Sequence, residues 1–324
     1  MKKSLIFLVI LCLFFSLCAC GEAPAESGGE GLDIVCTVFP AYDFAREIAG
    51  EKANVTMLVP PGSEAHSFEP TPQDIIRIEN CDLLIGNGGE SETWLEEILA
   101  GREKDIPSLI MMDCVDALEE ETKEGMQTTE HSHEEHEERD GHEEHEHEEE
   151  YDEHVWTSPV NASLIVSALC DRLSAIDPEN GGFYRENAVR YQSELQKLDA
   201  AFRETVEKGK FDTLIFADRF PVRYFVEEYG LDYYAAFPGC TDDTEPSART
   251  VAFLIDMVRS EDIPAVMYIE FSNEKMADVI CEDTGCKKLL FHSCHNVSAQ
   301  QLKSGVSYLT LMWGNLESLK EALG

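Results

Sequence analysis

Asp33-Ile34-Val35-Cys36-Thr37-Val38-Phe39, stopped by Pro40, reads as a buried strand. Residues 42–49 follow with a helical pattern that Gly50 ends. The alternation then repeats. Strands are expected over 54–59, 81–85 and 108–112. A helix opening at Thr71-Pro72 and a short one over 92–99 separate them, with Thr71 as N-cap and Pro72 at the first helical position. A second series places strands at 213–216, 233–237, 265–269 and 288–291. Its helices cover 224–229, a stretch from Glu245-Pro246-Ser247 to Arg259, 273–281 and 308–322. Strands alternating with helices predict an α/β fold with parallel sheets. Between the two series lie a helix over 160–173 and a long one from about 182 to 208, where Tyr184, Ala188, Tyr191, Leu195, Leu198 and Phe202 recur at spacings of three and four. The expected architecture is α/β with two lobes, 32–178 and 210–324, each a mainly parallel sheet flanked by helices. One long rigid helix, 179–209, joins them.

A run unlike the rest of the chain interrupts the first lobe. Residues 120–153 are expected to form one loop, and from Glu130 to Glu150 nearly every residue in it is Glu or His, with His131, His133, His136, His142, His145 and His147 set among acids. Almost nothing in it is apolar, so it is expected to be a solvated, disordered loop. Imidazole and carboxylate are also weak ligands for divalent transition metals, which adds a low-affinity capture function. Residues 130–153 hold 14 acids and one base, supplying −13 of a formal net charge of −39. Such a chain repels nucleic acid and anionic membrane surfaces and attracts cations, so nucleic-acid binding is set aside. With 324 residues, 43% of them hydrophobic, it has material for two ordinary domains.

The first residues form an export signal. Lys2 and Lys3 precede an apolar stretch over 5–17, and Leu17-Cys18-Ala19-Cys20 matches a bacterial lipobox. Residues 1–19 are expected to be removed, Cys20 to carry lipid, and 20–31 to serve as a tether outside the cell membrane. Eight further cysteines remain, with no CxxC pair among them. Cys36, Cys81, Cys114 and Cys170 sit in apolar patterns as small hydrophobes, whereas Cys281, Cys286 and Cys240 are the better disulfide candidates.

Outside the Glu/His run the chain has four histidines, His66, His154, His292 and His295, each in a loop or at an element end. In parallel α/β sheets such positions gather ligands. A cleft between lobes that collects three imidazoles suits zinc, with a carboxylate or water in fourth place. The surrounding motifs resemble a family. Pro60-Pro61-Gly62, His66, Phe68 and Pro70 are similar to the PPG…H.(F/Y).P motif of the solute-binding lipoproteins of zinc and manganese ABC transporters. Asp152, His154, Trp156 and Ser158-Pro159 resemble their D.H.W.SP motif, and the Glu/His run resembles the metal-rich loop of the zinc members. Tyr229-Gly230-Leu231, Glu245-Pro246-Ser247, Asp283-Thr284-Gly285 and the ending over 308–316 also fit, so the likeness covers nearly the whole mature chain.

The resemblance implies a metal buried between two lobes, with His66 and His154 as ligands. The second lobe departs from the pattern. Where the family has a His or Glu at a strand end, this chain reads Ala217-Asp218-Arg219, and of these only Asp218 binds cations. Arg219 is expected to pair with an acid. Where the family has an Asp in a Leu-Asp-Pro-Leu segment, the chain has Phe291-His292-Ser293-Cys294, so His292 is the expected third imidazole and His295 a weaker candidate, expected to be exposed. Glu270, Glu245 and Glu64 are candidate acceptors that orient the imidazoles. Three imidazoles argue for Zn2+ over Mn2+, which prefers more carboxylate. They must be neutral to coordinate, so affinity should fall as pH drops through the histidine range.

Capture of one ion, delivered by a monomeric lipoprotein to a membrane ABC permease, is the expected function. Two other readings stand beside it. A surface adhesin or metal buffer would make the Glu/His run the working part. A zinc hydrolase would need an open coordination position and a base, but HExxH, GxSxG and HxE…PCxxC are all absent from the sequence.

Overall fold

Four-residue runs with every side chain covered are the mark of strands buried on both sheet faces. Leu83–Gly86 is such a run. It forms β3 of a first sheet with β1 (Leu32–Cys36), β2 (Ala53–Met57) and β4 (Ser108–Ile110). The sheet order is β2-β1-β3-β4, and every pairing is parallel. Helices α1 (Phe39–Ala49), α2 (Pro72–Asn80) and α3 (Thr93–Ala100) make the connections. Then come α4 (Pro159–Ile176) and the long α5 (Gly181–Lys208). A second sheet repeats the plan with β5 (Thr213–Arg219), β6 (Asp232–Phe237), β7 (Ala265–Tyr268) and β8 (Lys287–Leu290), in the order β6-β5-β7-β8 and again parallel. Its helices are α6 (Arg223–Tyr229), α7 (Ala248–Ser260), α8 (Lys275–Thr284), α9 (Ala299–Lys303) and α10 (Tyr308–Leu323). This computed structural model describes residues 31–101, 106–128, 150–241 and 245–324. The export signal, Cys20 and the Glu/His run from Glu130 to Glu149 lie outside them. Among the described residues no helix is long and apolar enough to cross a membrane.

Local chemistry sets the element ends. Thr71 caps α2 by accepting from Asp74 N–H while the Asp74 carboxylate accepts from Thr71 N–H, a reciprocal capping box with Pro72 just inside. Gly230 ends α6 in the left-handed region at φ 67°. Phe39 and Pro40 open α1 rather than closing β1, because a proline lacking N–H fits the first helical turn. The helix α9 was not expected. Its signal is Ser298-Ala299-Gln300-Gln301, where Ser298 and Gln301 form a second capping box.

The long helix does more than join. Its buried face is Tyr184, Asn187, Ala188, Tyr191, Leu195, Leu198 and Phe202, and it packs on α1, α4 and α10. One apolar core runs from Phe44 under the first sheet to Phe216 and Phe225 under the second. Residues Leu32–Gly324 are accordingly one compact unit. All eight cysteines among the described residues are free thiols, with Cys281 and Cys286 sulfurs 3.3 Å apart. Leu198 is fully buried in this shared core. Leu198→Ala should therefore cost about 2–5 kcal/mol. Chemical denaturation should show it as one shifted transition; two separate transitions, with only one shifted, would show that the sheets unfold independently.

Candidate metal centre

Three separate loops bring three imidazoles to one place. His66 lies in the loop after β2, His154 in the segment after β4, and His295 in the loop after β8. Their ring centroids are 5.2 Å (His66–His154), 4.7 Å (His66–His295) and 5.3 Å (His154–His295) apart. One ring nitrogen from each lies within 4.8 Å of the others. They face a cavity of 30 Å³, about the volume one water molecule takes up. His154 is 1% exposed and His295 9%.

Each loop is held from outside the cluster. Asp152 Oδ1 accepts from His154 N–H at 2.8 Å and lies 3.2 Å from His154 Nδ1. With Nδ1–H directed at that carboxylate, Nε2 keeps its lone pair for a cation. Glu153 Oε2 is 3.7 Å from His66 Nδ1, and the same carboxylate accepts from Ser91 N–H at 2.9 Å. Glu153 fits because position 89 is glycine: a Cβ there would come within 2.6 Å of the Glu153 side chain, at a φ of +87°. Trp156 is fully buried beside His154 and donates its indole N–H to Ser293 O at 2.8 Å. Asn296, next to His295, donates to Pro60 O and Ser63 O at 2.8 Å each, fastening the His66 loop. Glu64 Oε1 accepts from Ala65 and His66 N–H, and its other oxygen takes Arg219 Nη2 at 2.9 Å.

The sequence from residue 34 to residue 322 matches the model of the family described as zinc-uptake complex component A, periplasmic (ZnuA). The chain belongs to that family. It is 32% identical to the high-affinity zinc uptake system protein ZnuA of Bacillus subtilis, over 99% of this chain and 98% of the relative. It is 29% identical to the zinc-binding lipoprotein AdcA of Streptococcus pneumoniae, over 99% of this chain but 61% of that longer relative. Among solved structures, the Zn(II)-bound ZnuA-like domain of Streptococcus pneumoniae AdcA superposes with a TM-score of 0.73 at 27% identity, covering 90% of this chain and 99% of that one. The metal-dependent lipoprotein YcdH of Bacillus subtilis superposes with a TM-score of 0.74 at 26% identity, covering 90% and 100%.

Against this ZnuA frame, two expected site residues fall elsewhere. His292 is not in the cluster. Its backbone is bracketed by Asn315 of α10, which accepts from its N–H and donates to its C=O. Its Nδ1 accepts from Cys294 N–H at 3.0 Å and its Nε2 is buried with no hydrogen-bond partner among the described residues. The reason is a turn: Cys294 sits in the left-handed region at φ 63°, and this reversal carries His295 to His66 and His154. His295 is therefore buried, not exposed. Asp218 also points away. It accepts from Arg219 and Ile269 N–H and lines a separate 480 Å³ cavity. Arg219 takes the place beside the histidines and pairs with Glu64, as expected.

Of the expected orienting acids, Glu64 holds the His66 backbone, and Glu270 accepts from Ser293 N–H at 2.7 Å and so braces the His295 loop. Glu245 is exposed and does neither. The acids nearest the rings are Asp152 and Glu153, which sequence reasoning left unassigned although Asp152 stands two residues before His154 in the quoted motif.

The three imidazoles differ in proton affinity. Burial, then the neighbouring His154, pushes His66 down to about 3. Burial, His66 and His154 likewise hold His295 far below its usual value. Burial also opposes charge on His154, but the charge of Asp152 and its hydrogen bond outweigh it and raise His154 above 6.5. So His66 and His295 are neutral near physiological pH, and one proton, on His154, competes with a cation. Affinity for zinc should stay level above the raised His154 pKa and fall about tenfold per pH unit below it. A pH series of competition titrations checks this. A slope of two or three protons, or none, contradicts it.

Proposed function

We propose that this chain is the extracytoplasmic zinc-capturing component of an ABC importer, holding one Zn2+ on His66, His154 and His295 and passing it to a membrane permease. The observation that carries the reading is the convergence of the His66, His154 and His295 imidazoles from three separate loops, backed by two buried carboxylates. Asp152 and Glu153 are 1% and 2% exposed, and their ion-pair neighbours among the described residues are His154 and His66. Buried carboxylates are costly unless positive charge offsets them, and a cation held by the rings beside them would supply it. Three nitrogens suit zinc better than manganese. The family description and the relatives' names point the same way.

The role is binding, with no bond made or broken in a substrate. Cys20 supplies the membrane anchor, and the Glu/His run gathers ions without forming the tight site. The chain works as a monomer.

Isothermal titration with zinc tests the assignment. The wild type should bind one ion tightly. His295→Ala should lose affinity by more than about 100-fold, beyond the upper end of what an orienting partner contributes. His292→Ala should stay within a few-fold of wild type. Equal losses from the two variants, or loss only in His292→Ala, would overturn the ligand set. Asp152→Asn keeps a hydrogen-bond acceptor but removes the charge, and should weaken binding by about 10–100-fold. An unchanged affinity in that variant would show that the Asp152 charge plays no part in binding.

A further inference from the structure

Metal-ligating atoms do not stop at the three imidazoles. Two further triads have ligand atoms within 4.8 Å of one another: His66, Glu153 and Cys240, and Asp152, His154 and Cys240. Cys240 follows β6 and has no place in the site described above. Its position is built. Its N–H donates to Glu120 Oε1 at 2.9 Å, and Glu120 N–H is fixed to Glu150 O at 2.8 Å. The turn before it passes so close to Asp152 that a Cβ on Gly239 would meet Phe220 O at 2.7 Å and Asp152 Oδ2 at 3.1 Å. A 210 Å³ cavity beside Cys240 is lined by His66, Glu153, Cys240, Ser91, Glu120 and Glu150.

Cys240, Glu153 and His66 line this second cavity, His66 also belongs with His154 and His295, and Cys240 lies within reach of His154 too. We propose that His66, Glu153 and Cys240 form an outer zinc site, occupied in passing as the ion travels to or from the three-histidine site. This rests on the zinc-capture reading. His66 offers one lone pair when neutral, so the two sites exclude each other and an ion steps between them with an imidazole still attached. The chemistry balances. As the metal–sulfur bond forms, the Cys240 thiol releases its proton to bulk solvent. When the ion moves inward, the thiolate takes a proton back. A thiolate also selects zinc over the harder magnesium, calcium and manganese ions, which prefer oxygen ligands.

Cobalt(II) reports on this directly, because a thiolate ligand gives a near-ultraviolet charge-transfer band that imidazole and carboxylate do not. Mixing the purified protein with Co2+ in a stopped-flow instrument should show that band appear and then decay as the ion reaches the histidines. Cys240→Ser should lack the transient and load about tenfold more slowly, the lower end of what a lost metal partner costs. In His295→Ala, where the three-histidine site is incomplete, the band should persist at equilibrium. It should vanish in the double variant His295→Ala/Cys240→Ser. No transient in wild type, or one that survives in Cys240→Ser through Cys281 or Cys286, overturns the outer site. If wild type instead fails to bind one ion tightly, it is the zinc-capture reading that fails.

Discussion

The three-histidine cluster depends on a set of hydrogen bonds between loops of the two sheets. Asn296 ties the loop after β8 to the loop after β2, and Trp156 ties it to the segment after β4. No one loop carries more than one of the converging imidazoles. Register between the sheets is therefore what makes a site, and these buried bonds set it. Each contributes about 1 kcal/mol net, yet leaving its partner unsatisfied costs more. The shared core under α5 makes the arrangement rigid at long range, because Phe44 and Phe216 lie in one packed cluster.

Electrostatics complete the design. Two imidazoles are kept neutral by burial and by each other, which leaves them ready as ligands. The third is turned by Asp152 so that Nε2 faces inward. The guanidinium of Arg219 would oppose an incoming cation, and Glu64 offsets it across the same seam. Glu64 also holds the His66 backbone, so one carboxylate serves both purposes. At the other side of the cluster Glu153 faces His66 with no lysine or arginine beside it among the described residues. The field across the site thus runs from the Arg219 side to the Glu153 and Cys240 side.

The fold was readable because its cues are local. Strand–helix alternation, the Thr71 cap and the stripe from Tyr184 to Phe202 all act over a few residues, and each appears in the structure. His66 and His154 stand in motifs that are local too, and the structure brings them together. Which imidazole joins them was not legible. His292 and His295 lie three residues apart in one loop, and sequence spacing cannot say which of them faces the cleft. The left-handed turn at Cys294 settles it, and a non-glycine residue in that region is not announced by residue type. Asp218 was missed for a similar reason: β5 runs on to Arg219 with a shift of register between Phe216 and Arg219, and such an irregularity re-aims side chains without any mark in residue type. The acid beside His66 was missed because Glu153 reaches it only through the space that Gly89 leaves, a contact 64 residues apart in sequence.

Anomalous diffraction at the zinc edge from crystals of the zinc-loaded protein tests the central claim most directly. One strong peak should lie about 2.0–2.1 Å from a nitrogen of each of His66, His154 and His295, with His292 still bracketed by Asn315. A peak ligated by His292 or Asp218, or no ordered ion between the sheets, would contradict it.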